Sequence, residues 1–154
     1  MDNRTKITTL SAEVLDRPAL MKWWSKVKDA PTTPTYWKSR GHRATLKVFG
    51  SNGNVCDLSP YTTILGTKRK MRVKGWLKTN RAIVLVIDPM GIPTDLENPY
   101  LILSSEGDIV NPELVKYMIQ NVPLNPCSFE LDVKIGYVDR LRRTIRFDIP
   151  EDLL

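Results

Sequence analysis

One histidine and two cysteines are all the chain offers of the usual soft metal ligands in its 154 residues. A single imidazole excludes a histidine-rich metal centre, and any catalytic triad has to be built around His42, which lies close to Arg40 and Arg43. Cys56 and Cys127 are too few for a disulfide framework or a cysteine metal cluster, and fit a reducing compartment. The longest uncharged apolar run, Ala82 to Ile87, is far short of the roughly 20 residues that carry a helix across a bilayer. The first residues carry charge instead of a signal-like apolar stretch, and neither a myristoylation glycine nor a terminal prenylation cysteine is present. These absences lead to the expectation of a soluble protein whose membrane contact is peripheral.

Phosphate loops, nucleophile elbows, zincin helices and dinucleotide fingerprints are missing as well. Asp88, at the end of an apolar run, is the best single carboxylate for catalysis or metal binding. Asp95, Glu97, Glu106 and Asp108 follow on later loops, and such clusters hold Mg²⁺ in hydrolases. The plainer reading is an acidic loop that caps turns. The sequence therefore points away from an enzyme and from any cofactor, with a hydrolase around Asp88 as a minor alternative.

Charge is abundant and unevenly placed. Residues 1–81 carry seventeen basic and five acidic side chains, and residues 82–154 carry six and twelve. The net charge is +6, but the chain reads as electrically two-ended, with a basic half suited to nucleic acid, an anionic membrane or an acidic protein. A Pro- and Thr-rich stretch, Ala30 to Gly41, separates a basic amino-terminal arm (residues 1–41) from a core (residues 42–154).

In the arm, Asp16 with Pro18 marks a helix start, and Leu20, Trp23, Trp24 and Val27 recur at helical spacing. Lys22, Lys26 and Lys28 lie opposite. This amphipathic helix either packs on its own core or rests in a lipid interface, indoles down and lysines on headgroups. From Ala44 the pattern turns β: Ala44 to Phe49 alternates, Ser51 to Asn54 is turn-forming, Tyr61 to Leu65 is a shorter strand candidate, and Tyr100 to Leu103 another. Ala82 to Ile87 reads as a strand covered on both faces. Asn111, Pro112 and Glu113 open a mid-chain helix running to about Gln120, burying Leu114, Val115 and Met118. Phe129 to Tyr137 and Leu141 to Ile149 alternate as a long hairpin, in which Glu130 and Asp132 face Arg142 and Arg146. The expected fold class is α+β, a mostly antiparallel sheet with this carboxy-terminal hairpin, the amino-terminal helix and the mid-chain helix.

The strongest functional signal is Lys68, Arg69, Lys70, Arg72, Lys74 and Lys78, six cations within eleven residues. Strict alternation puts Lys70, Arg72, Lys74 and Lys78 with Trp76 on one strand face, where the cations track phosphates and the indole stacks on a base or inserts among headgroups. The first five residues of the run, Lys68 to Arg72, also match a nuclear-import string.

Pro31-Thr32-Thr33-Pro34 resembles the late-domain motif with which viral matrix and Gag proteins recruit host sorting machinery. With a basic arm ahead of it and a compact core behind it, the layout resembles the small matrix proteins of negative-strand RNA viruses, including rhabdoviruses. That resemblance implies a non-enzymatic protein that self-associates and bridges an anionic membrane and a nucleoprotein–RNA complex, in the host cytoplasm, at its membranes and in the virion, with the nucleus as a further site. The rival reading is an RNA-binding module of the movement or silencing-suppressor type.

Overall fold

A computed structural model describes residues 7–27, 42–48, 61–79, 82–105, 112–139 and 144–149. Among the described residues seven strands are formed: β1 (Ile7–Val14), β2 (Arg43–Val48), β3 (Lys68–Lys78), β4 (Ala82–Asp88), β5 (Tyr100–Ser105), β6 (Asn125–Asp139) and β7 (Thr144–Arg146). All pairings are antiparallel, in the order β1-β2-β5-β4-β3-β6-β7, and β1 pairs again with β6. That last pairing, Leu10 with Tyr137 and Val14 with Val133 among its rungs, closes the first six strands into a barrel, leaving β7 attached outside. The α+β expectation is thus corrected to an antiparallel β-barrel carrying two short helices among the described residues, α1 (Arg17–Ser25) and α2 (Pro112–Asn121).

Closure depends on the segment that the sequence assigned to a separate arm. Leu10, Ala12 and Val14 are buried in the barrel, so a boundary after residue 41 cuts through its wall. The Pro31 to Pro34 motif, Lys28, Cys56 and the Ser51 to Asn54 turn lie outside the described residues.

The interior is filled by Leu10, Leu46, Met71, Val73, Leu85, Ile87, Leu101, Leu103 and the odd-numbered residues of β6 from Leu131 to Tyr137. A second apolar layer lies outside, where Val115 and Met118 of α2 cover Leu77, Val84, Val86 and Tyr100. The unbroken apolar run of β4 follows from this: its odd residues face the interior and its even residues face α2.

α1 closes one end of the barrel. Asp16 accepts a hydrogen bond from the Ala19 backbone N–H at 3.0 Å, fixing the first turn, and the helix then lowers Leu20 and Trp24 into the interior. At the opposite ends of β2 and β3, Tyr61 to Thr63 form a 3₁₀ turn where a strand was expected. There the Tyr61 hydroxyl donates to the Pro93 carbonyl at 2.8 Å, and its pKa is pushed up to about 12 by burial and by Asp95.

The long carboxy-terminal hairpin is shortened to three rungs, Tyr137 with Arg146 through Asp139 with Thr144. The edge of β6 that its second arm needs is already taken by β3, which pairs from Lys68–Lys134 to Trp76–Asn125. Glu130 consequently meets Arg72 at 3.4 Å and Lys70 at 3.9 Å, and Arg146 turns to Asp148 at 2.9 Å.

Candidate anion-binding surface

β3 carries the predicted cationic strip, and its inner face is as expected up to Val73, with Met71 and Val73 buried in the barrel. A bulge then breaks the alternation. Val73 pairs with Ile87 but Gly75 with Val86, so Lys74 is the extra residue, without a partner in β4. Past it the faces exchange: Trp76 pairs with Leu85 on the interior side, and Leu77 with Val84 under α2.

Trp76 therefore leaves the cationic face. Its ring meets Trp24 edge to face at 5.4 Å between centroids, and Trp24 is only 3% exposed. Trp23 stands 4.2 Å from Phe129. The tryptophans of the lipid-interface reading are packing residues of the barrel end, and the exposed side of α1 is left with Lys22 and Lys26. Among the described residues, no helix is long and apolar enough to cross a membrane.

On the outer face, β3 and β6 form a ladder of directly opposed side chains: Lys68 with Lys134, Lys70 with Asp132, and Arg72 with Glu130. Gly66 continues it beside Gly136, for the Gly66 N–H donates to the Ile135 carbonyl at 2.8 Å. Phe147 lies over this glycine step, where a side chain at Gly136 would meet its ring. Lys70 and Arg72 are thus partly neutralised by Glu130. Lys68 and Lys74 are exposed on this face, while Arg69, opposite Val133, and Lys78, opposite Ile83, stand on the other face and are exposed at the two ends of the strand; none of the four has an ion pair with a carboxylate among the described residues. Lys68 and Lys74 stand about 20 Å apart along the strand, at roughly 3.3 Å per residue.

The electrically two-ended molecule does not form. β3, from the basic half, lies between β4 and β6 of the acidic half, and Lys47 of β2 meets Asp95 at 3.2 Å. The folded barrel interleaves the two halves.

The remaining chemical candidates have structural places. The Asp88 carboxylate accepts from the Met90 backbone N–H at 3.0 Å, forming the turn in which Met90 and Gly91 adopt positive φ. Among the described residues no group of three His, Cys, Asp or Glu is placed to hold a metal ion. Glu106 and Asp108 lie outside them. His42 is fully buried, with Nε2 3.0 Å from the Leu103 carbonyl and Nδ1 without a hydrogen-bond partner among the described residues. Burial holds its pKa below the usual imidazole value, with Arg17 adding to the effect and the Leu103 carbonyl opposing it. Burial raises the Cys127 thiol.

Sequence reasoning missed Lys134, because the hairpin it assumed placed another strand beside it. Comparison of the chain with protein-family models, with curated proteins and with solved structures finds no match.

Proposed function

We propose that this protein is a non-enzymatic attachment module that binds the phosphate backbone of RNA through the cations of β3. The supporting observation is that Lys68 and Lys74 stand exposed on the outer face of β3 without a carboxylate partner among the described residues, with Arg69 and Lys78 likewise exposed at the strand's two ends, while its other two cations share Glu130. Holding like charges in proximity on a rigid strand favours a polyanion, whose binding releases condensed counterions. With Trp76 turned inward, this face lacks its expected stacking platform, so contact is with phosphates and is independent of base sequence.

The matrix-like reading shares this surface but asks more of the molecule. Insertion into lipid loses Trp24 and Trp76 to the barrel, and head-to-tail self-assembly loses the opposed charged ends to strand interleaving. RNA attachment requires neither.

The test is fluorescence anisotropy with a single-stranded RNA across a salt series, comparing the wild type with Lys68→Ser/Arg69→Ser/Lys74→Ser. All three positions are exposed, so the variant is expected to fold. Each single-strand phosphate neutralised contributes about 0.7 to the slope of log affinity against log salt, so the slope should flatten by about 2 as affinity falls. Unchanged affinity at low salt would overturn the proposal. Binding to phosphatidylserine vesicles but not to RNA would transfer the surface to the matrix-like reading.

A further inference from the structure

We infer that Lys68 and Lys134 form a seat for one phosphate group, so that β6 supplies a contact which the β3 strip alone lacks. The inference deepens the RNA-backbone reading and rests on it for the identity of the polyanion. Its own support is the rung chemistry between β3 and β6.

Residues directly opposite each other across antiparallel strands have Cβ atoms about 5 Å apart, and like charges in such pairs are destabilising. The two neighbouring charged rungs obey that rule, Lys70 opposing Asp132 and Arg72 opposing Glu130. Of these three rungs only Lys68–Lys134 violates it; the other neighbour of Lys134 across the sheet is Glu13 of β1, a carboxylate also opposed by Arg43 and paired with Arg17 at 3.7 Å, and neither lysine ammonium has an ion pair among the described residues. One tetrahedral anion between the two lysines removes the repulsion and accepts hydrogen bonds from both.

The flanks define the size of the seat. On one side Phe147 covers the Gly66–Gly136 step, and the Lys134 ammonium lies over its ring at 4.4 Å from the centroid. The ring therefore positions that ammonium at the rung. On the other side Asp132 and Glu130 repel further negative charge, so the seat is one phosphate long in the strand direction.

The experiment uses the full chain and two probes. Inorganic phosphate, compared with chloride at equal ionic strength, should raise the melting temperature of the wild type and shift the amide NMR signals of Lys68 and Lys134. Both effects should be lost in Lys134→Gln and kept in Lys116→Gln, an exposed change on α2. With single-stranded RNA, Lys134→Gln should bind several-fold more weakly, with a salt slope flatter by about 0.7. A wild type indifferent to phosphate, or a Lys134→Gln variant with unchanged RNA affinity and slope, overturns the seat even if the triple β3 variant has lost RNA binding. Phosphate effects that depend on Lys134, in a protein that does not bind RNA, retain the seat and overturn the RNA reading.

Discussion

Replacing Trp24 with alanine separates a barrel plug from a membrane anchor. The indole is 3% exposed and is packed against Trp23 at 5.8 Å and Trp76 at 5.4 Å between ring centroids. Its Nε1 has no hydrogen-bond partner among the described residues, so truncation strands no acceptor there and the loss is one of packing. Removing a buried aromatic side chain costs about 3–5 kcal/mol through lost transfer energy and the cavity left behind. With a urea m-value of about 2 kcal/mol/M, the unfolding midpoint should fall by roughly 2 M at constant m. Lys22→Ala and Lys26→Ala, exposed on the same helix, should stay within about 0.5 kcal/mol of the wild type. The assay is equilibrium urea unfolding followed by far-UV circular dichroism, with vesicle flotation on the same samples. A Trp24→Ala loss below about 1 kcal/mol, together with abolished flotation on anionic vesicles, would refute the packing argument.

Two further predictions concern other joints of the structure. Gly136→Ala would bring its Cβ to 2.5 Å from the Arg146 backbone carbonyl, which has to move, so β7 should lose amide protection in hydrogen exchange while the barrel strands keep theirs, at a cost of about 1–3 kcal/mol. Because the folded-state pKa of His42 is lowered, chiefly by burial, the unfolded chain binds the proton first as pH falls; stability is full above the ordinary imidazole value near 6.5 and declines below it, and a urea-midpoint profile between pH 7.5 and 5 should lose that contribution in His42→Gln.

What the sequence made legible was local. The helix start at Asp16, the mid-chain helix with Val115 and Met118 inward, the two-faced apolar strand β4 and the inward row from Phe129 to Tyr137 all follow from side-chain period and capping chemistry. The barrel was not legible because its closing contact, β1 against β6, joins residues more than a hundred positions apart. Ile7 to Val14 contains three hydroxyl residues and Glu13, and as an isolated stretch it gives no sign of a buried wall. The hairpin failed for a related reason. Leu141 to Ile149 does alternate, but an alternating segment states that it has two faces and leaves its partner unspecified, and β3 occupies the edge.

The cationic strip shows how one residue changes a functional reading. Trp76 and Leu77 are both apolar, so the pattern after Lys74 fits either face of the strand, and a bulge at Lys74 costs the sequence no visible break. Strict alternation makes Trp76 an exposed aromatic among phosphate-binding cations; the bulge makes it a partner of Trp24 at the helix-plugged end. The same change of face leaves Lys74 outside and brings Leu77 beneath α2. On the proposed reading, contact then shifts from bases to backbone, and the cations without an ion pair among the described residues are left at the Lys68–Lys134 rung and near the bulge, because Asp132 and Glu130 answer the cations between them. A variant that deletes Lys74 removes the extra residue and leaves Val73 opposite Ile87, Gly75 opposite Val86 and Trp76 opposite Leu85, so Trp76 should stay inward and Leu77 beneath α2. Quenching of tryptophan fluorescence by acrylamide should then be unchanged, and both apolar layers should keep their members. Increased quenching with a large loss of stability would mean that the bulge itself, and not the paired register, holds Trp76 inward.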